Sequence, residues 1–291
     1  MKSRDRYWLT LFVALVLALI SPDVAAQELE SDGDEAKRGL HHASTLQIRV
    51  HPPGLKYRAD TAYRIPLRES DNILFDGRYF DTGITAELSP TFIWSGPYIE
   101  LLPIAVLRLR AAVYFKDYFG TFGHLHVSES ADGSREALSR TTEQDLAQRS
   151  RGWRVELQAR PQILVDRIAA VVETSVHRMT LDVEHPYYEP SFGLIFEPKE
   201  VIFDINPTIG YIFGSSPSER YTLLGLRWEH SVARRSDWTQ TKFGVAWNVQ
   251  LPPGLLPGTE SVVSGYAAVR RKTPQQSRLS PFLGIQFSAE F

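Results

Sequence analysis

Charged residues recur two apart along this chain, and that spacing is the first indication of what it could do. Arg108 and Arg110 form one such pair, Arg227 and Glu229 another. Arg154, Glu156 and Arg160 stand two and four apart, Glu173 and His177 four apart, and Asp204 and Lys242 sit in similar surroundings. Along an extended strand successive side chains point to opposite faces, so residues separated by an even number share one. Such a face could hold a network of ion pairs. It could also offer arginine to an anion, as rings of arginine do in anion pores. Glu156, Glu173 and Glu229 would blunt that field. The other chemistry to look for is a base beside a hydroxyl nucleophile. In Glu229-His230-Ser231 the imidazole and hydroxyl are adjacent, so a strand sends them to opposite faces. His126-Val127-Ser128 has the two-apart spacing but falls in a long polar stretch. His124 and His126 could pair at a metal, yet no third ligand stands nearby. His177 with Glu173, followed by Asp182-Val183-Glu184-His185, offers acids beside a base, though solvated charge accounts for it as well. These residues point to no definite catalytic set, metal site or cofactor motif.

The elements that would position these charges read as strands. Leu107, Leu109, Ala111, Val113 and Phe115 alternate with Arg108, Arg110, Tyr114 and Lys116. Trp153, Val155, Leu157 and Ala159 alternate with Arg154, Glu156, Gln158 and Arg160. The same period of two runs through 54–67, 167–178, 200–213, 219–231 and 238–251, whereas a helical period would put charge on each apolar face. Twelve strands are expected: 44–51, 54–67, 79–89, 91–102, 107–117, 151–163, 167–178, 200–213, 219–231, 238–251, 259–271 and 280–291. Ser89-Pro90 and Ser95-Gly96-Pro97 both resemble turns, so counts of ten or fourteen stay open. Most of these segments exceed the five or six residues usual in soluble sheets and suit a tilted membrane-spanning strand.

Composition narrows the class. The chain has 291 residues, no cysteine, 43% hydrophobic residues and a formal net charge of -2. That is ample apolar surface for a core, and the charge argues against a broad nucleic-acid-binding surface. Mean hydropathy is -0.21, which excludes a polytopic helical membrane protein. A β-barrel, with alternating strands, escapes that test.

Residues 1–26 read as a cleaved signal peptide. Lys2, Arg4 and Arg6 precede the uncharged run Tyr7–Ile20, and Val24-Ala25-Ala26 offers small residues for cleavage. The run is shorter than the roughly 20 residues of a spanning helix. Residues 27–43, acidic and poor in aromatics, read as an unstructured periplasmic tail, and 44–291 as the folded domain.

The chain closes on Leu283-Gly284-Ile285-Gln286-Phe287-Ser288-Ala289-Glu290-Phe291. Gly284, Phe287, Ala289 and the terminal Phe291 resemble the C-terminal assembly signal of Gram-negative outer-membrane β-barrel proteins, with Ala289 smaller than the usual residue there. The resemblance implies an all-β fold: a closed antiparallel up-and-down transmembrane barrel of about twelve strands in the bacterial outer membrane. It also implies outer-membrane lipid and the barrel assembly machinery as partners. Under that reading an even strand number leaves both termini in the periplasm. The long connections 118–150 and 179–199 become extracellular loops. Tyr118, Trp153, Trp228 and Trp238 are then expected at the outer rim, Phe213 and Phe291 at the inner rim. Arg58, Arg64, Glu87, Glu100 and Glu290 join the charges named above on the inward face. Outer-membrane lipases and lipid A deacylases set His and Ser two apart on one strand face, a geometry that 229–231 lacks. The expected function is a monomeric small-solute pore of unspecified substrate, with no cofactor. An outer-membrane enzyme, or a barrel that binds partners through loops such as Tyr187-Tyr188-Glu189-Pro190, is the alternative.

Overall fold

The structure is a computed structural model that describes residues 38–51, 54–67, 77–119, 149–189, 191–192, 194–214, 222–251, 260–273 and 276–290. Residues 1–26, expected as a signal peptide, the histidines at 124 and 126 and Phe291 lie outside them.

Alternation produces strands throughout. β1 is Gly39–His51, β2 Gly54–Pro66, β3 Tyr79–Leu88, β4 Phe92–Ile104 and β5 Leu107–Tyr118. β6 is Ser150–Val165 and β7 Ile168–Leu181. Two short strands, β8 (Tyr187–Glu189) and β9 (Leu194–Phe196), follow. β10 is Lys199–Phe213, β11 Thr222–Ala233, β12 Trp238–Gln250, β13 Glu260–Thr273 and β14 Gln276–Glu290. Each long strand pairs antiparallel with its neighbours, and β14 returns to β1 to close a barrel of twelve strands. β8 and β9 form a separate hairpin. Closure leaves no edge strand with unpaired backbone groups, a condition for a sheet in lipid.

Strand ends differ from expectation at instructive places. β1 begins at Gly39 rather than at residue 44, because 39–43 pairs with both β2 and, at Ala43, β14. Ser95-Gly96-Pro97 is not a turn but the middle of β4. There Gly96 lies so close to β5 that a Cβ would run into the Val113 carbonyl, which explains a glycine inside a strand. The connection expected at 118–150 loses Tyr118 to β5 and Ser150 to β6. The one expected at 179–199 loses 179–181 to β7 and its last residue to β10.

The wall sorts side chains by parity. Leu157, Ile209, Leu226, Phe243 and Val269 face outward and are each about half exposed, from 48% to 57%. Arg110, Arg154, Glu156 and His177 face inward and are buried. An exposed apolar wall of this extent, continuous over neighbouring strands, is stable against lipid rather than water. The two barrel ends also differ. One, the loop end, carries the β5–β6 and β7–β10 connections. The other carries the start of β1, the end of β14 and the tight β6–β7 turn, where Asp166 adopts a left-handed φ of 53°.

Candidate functional site: the barrel lumen

The lumen is built from inward side chains of all twelve barrel strands, and its two halves differ. Across β2 to β7 it is filled by ion pairs braced on aromatic rings. Arg64 forks onto Asp81 with Nη2 at 2.8 Å and lies 3.8 Å over the Tyr79 ring. The Tyr79 hydroxyl donates to Glu100 at 2.9 Å. Arg110 reaches Asp60 at 2.9 Å and Glu100 at 3.5 Å, with its guanidinium 3.8 Å over Tyr98. Arg108 approaches Glu100 at 3.6 Å, and Arg58 and Glu87 stand 3.7 Å apart. Arg154 pairs with Glu156 at 2.9 Å between the rings of Trp94 and Tyr114. Planar guanidinium suits this work because it can hydrogen-bond at its edge and stack on its face at once. Buried charges need such partners on all sides.

His177 ends this network. Its Nε2 lies 3.0 Å from Asp204 and 2.9 Å from Ser175 Oγ, and its Nδ1 lies 3.4 Å from Glu156. Ser, His and carboxylates are thus together, but both ring nitrogens face carboxylates. Phe192 also covers the ring edge-on at 5.4 Å. This arrangement locks an imidazole between acids; it presents no nucleophile to an open space.

From the lower parts of β6 and β7 round to β1 the lumen keeps a cavity of about 290 Å³. Arg49, Arg160, Glu173, Arg227, Glu229 and Lys242 are on its wall, with Tyr266 and Asn248. Arg227 bonds Glu229 at 2.8 Å and Glu173 at 3.3 Å. Lys242 bonds Glu229 at 2.7 Å, and Arg160 approaches Glu173 at 3.7 Å. The two acids are therefore shared among several cations. Arg270 on β13 pairs across the ladder with Lys242, and Lys272 follows two residues on. Arg270, Lys242 and Arg49 are close enough to act on Lys272. Among the described inward side chains of β12, β13, β14 and β1 there is no carboxylate. Among the described residues the cavity wall carries four cations, Arg49, Arg160, Arg227 and Lys242, against the two carboxylates Glu173 and Glu229.

The β8–β9 hairpin closes that end. Tyr187, Leu194, Ile195 and Phe196 are at most 2% exposed and pack among inward aromatics Phe92, Trp94 and Tyr118. The segment that the residues allow either as a loop open to partners or as a cap on the lumen is folded into the mouth, because its apolar residues find a seat there. A buried polar latch helps to hold it. Glu189, 0% exposed, accepts from Lys116 Nζ at 2.9 Å, from the Tyr118 hydroxyl, and from the backbone N–H of Ser191 at 3.1 Å. Burial, with Glu189 and Glu200 nearby, pushes the Tyr187 phenol well above its ordinary range, so it stays neutral. Glu200 accepts from the backbone N–H groups of Arg235 and Ser236, at 2.8 and 3.0 Å, and ties down the adjoining β11–β12 turn.

Other candidates take definite places. Tyr118 and Trp238, expected at the outer rim, are instead buried inside the mouth. Trp228 does face outward, 42% exposed, and so does Phe213 at 49%. His230 lies on the outer wall with its Nδ1 3.0 Å from Thr241 Oγ1, while Ser231 points inward and is buried. The two cannot form a dyad. His185, Asp182 and Glu184 are exposed in the connection after β7. Gly284, Phe287 and Ala289 lie on β14, with Gly284 on the cavity wall and Phe287 paired with Leu46 of β1. Sequence reasoning missed Lys116, Glu189, Arg49, Arg270 and Lys272 as lumen groups. Parity alone reaches Lys116 and Arg270, which lie within the expected strands 107–117 and 259–271, and Lys272 once the latter is extended by one residue.

No protein-family model and no curated protein matches this chain. Among solved structures, the β domain of the Bordetella autotransporter BrkA superposes with a TM-score of 0.50 at 10% identity. That match covers 86% of this chain and 97% of the other. An outer membrane channel from Pseudomonas putida F1 gives a TM-score of 0.44 at 11% identity, over 91% and 100% of the two chains. LpxR from Salmonella typhimurium gives 0.36 at 9% identity, over 86% and 99%. At such identities the likeness is one of fold: the chain has the closed antiparallel architecture of outer-membrane β-barrels.

Proposed function

We propose that this chain is a bacterial outer-membrane channel for small solutes, favouring anions, whose mouth is closed by a docked hairpin. The observation that carries this reading is the polar cavity of about 290 Å³ beside the hairpin, with more cations than carboxylates on its wall. A barrel that served only as scaffold could fill its lumen throughout, as the β2–β7 half is filled. Positive wall charge attracts small anions, and the ion pairs of Arg227 and Lys242 hold those groups in place without neutralising the wall. The outer-membrane location is supported by the exposed apolar wall together with barrel closure. The reading differs from an arginine constriction made of Arg108, Arg110, Arg154, Arg160 and Arg227. Arg110 and Arg154 are spent in the filled half, whereas Arg160 and Arg227 line the cavity.

The test is single-channel recording of the refolded protein in a planar bilayer under a salt gradient. Discrete small steps with a reversal potential on the anion side are expected. Lys242→Glu should shift that potential toward cation preference, because it reverses a charge on the open side. Arg64→Gln should leave it unchanged, because that guanidinium sits over Tyr79 in the filled half. Cation preference of the unaltered protein would sink the anion assignment, and an inserted barrel without steps, even once the hairpin is released, would sink the pore.

A further inference from the structure

Charge on the outer wall is not scattered. Among the described strand residues that face outward, apolar and small polar groups predominate, and the formally charged ones collect at the loop end. They are Asp117 and Arg151, paired at 3.2 Å, with Arg178, Lys199 and Arg271. Arg234, exposed, follows β11 directly.

Three of these cations form a cluster. Arg178 on β7 pairs with Val201 on β10, and the Arg234 backbone N–H donates to the Val201 carbonyl, so Arg178 and Arg234 flank β10 at one level. Lys199 stands between them, two residues further along β10, opposite Thr180. With neighbouring strands about 4.8 Å apart, the three charges span roughly 10 Å. Each arginine is laid against an outward aromatic: Arg178 is 5.8 Å from the Trp153 ring and Arg234 is 5.4 Å from the Phe203 ring. Immediately below runs the apolar wall of Val176, Phe203 and Ile205. The exposed acids Asp182 and Glu184 belong to the connection after β7, and the exposed Asp237 lies with Arg235 further along the same β11–β12 turn as Arg234.

Cations snorkelling at an interface explain one arginine, not a triad spread over β7, β10 and the turn after β11 with rings beneath. We infer that Arg178, Lys199 and Arg234 form a binding site on the outer wall for the phosphate-bearing headgroup of a membrane lipid, whose acyl chains lie on the apolar surface below. Charge complementarity and continuity with the lipid-facing wall support a lipid occupant over a soluble one. The inference rests on the membrane-barrel reading above.

The experiment titrates lipid A, in doubly phosphorylated and dephosphorylated forms, into refolded protein in neutral detergent micelles, with bound lipid counted by native mass spectrometry. A cation at an anionic lipid surface contributes roughly fivefold in binding, so replacing all three by Gln should cost on the order of a hundredfold. The dephosphorylated lipid should bind the unaltered protein as weakly as the phosphorylated lipid binds the variant. Arg271→Gln, which removes an outward cation outside the triad, two strands beyond β11, should bind as the unaltered protein does. Undiminished binding by the triple variant would overturn the site, as would equal loss in Arg271→Gln, which would mean diffuse charge. Equal binding of both lipid forms overturns it without recourse to any variant, and displacement of the lipid by millimolar inorganic phosphate would replace a lipid site with a free-anion site. If the unaltered chain shows no heat-modifiable barrel in the same micelles, the membrane reading fails with it; a folded barrel indifferent to phosphate fails only the lipid site.

Discussion

Glu189→Gln should release the mouth hairpin and raise conductance. The carboxylate and Lys116 Nζ are 0% and 1% exposed, and they meet at 2.9 Å. Removing one partner of a buried pair leaves the other charge without compensation, at about 3–5 kcal/mol. The hairpin offers the molecule a cheap escape from that cost: if it leaves, Lys116 regains water. The apolar seat opposes release, since Tyr187, Leu194, Ile195 and Phe196 would lose burial, but it also has Arg49 and Gln240 only at its margin, reaching the Ser191 and Phe192 carbonyls at 3.4 and 3.3 Å. A shift of 3–5 kcal/mol corresponds to roughly two to three and a half powers of ten in the docked-to-open ratio. Two measurements check it. Protease should cut between 182 and 198 in the variant and spare the unaltered protein, and single channels should carry larger steps. Lys116→Met combined with Glu189→Leu supplies the control, because replacing both charges by apolar groups of similar volume is often neutral or better. The double variant should keep the hairpin docked. A Glu189→Gln protein with unaltered protection and conductance would remove the latch from the account.

The contrast between what could and could not be read from the residues follows from distance along the chain. Alternation is local, so Leu107 to Phe115 or Thr241 to Val249 declare a strand and its two faces within ten residues. Twelve such segments, with the long ones joined by short turns at one end, are enough for closure. Partner choice is not local. Arg110 is visibly inward, but its meeting with Asp60 spans fifty residues and depends on strand tilt and register. The hairpin was harder still. β8 and β9 have three residues each, too few for a period to emerge, and their docking depends on Lys116 and Tyr118, about seventy residues earlier. An aromatic at a strand end reads the same whether it anchors at a membrane interface or seats a plug, which is why the residues alone send Tyr118 and Trp238 to the outer rim, whereas both are buried inside the mouth. The extra residues of β1, β13 and β14 stayed hidden because a strand that ends in polar residues resembles the start of a loop.

Arg227 and Leu226 show how one residue of register separates two environments, and the second large effect follows from that. Leu226 lies in the middle of β11, 50% exposed, between outward Ile209 and Val245. Leu226→Arg would place a guanidinium on the apolar wall, distant from either rim. In a barrel spanning lipid this costs about 2–4 kcal/mol at the bilayer midplane, falling toward zero near the interfaces. In a barrel surrounded by water the same change would be neutral or favourable, since it trades an exposed leucine for a solvated charge. The sign of the effect therefore tests where the wall resides, independently of any channel recording. Asn248→Arg is the matched control: its side chain borders the cavity, where a cation can be hydrated, so it should cost under about 1 kcal/mol. Urea unfolding of both variants in lipid vesicles, followed by the heat-modifiable band on gels, gives the comparison. Leu226→Arg should unfold at clearly lower denaturant than Asn248→Arg, and the gap should shrink when the protein is held in a water-rich short-chain micelle. Equal midpoints in vesicles would mean that the apolar wall does not face acyl chains, and both the channel and the lipid-headgroup site would fall with it.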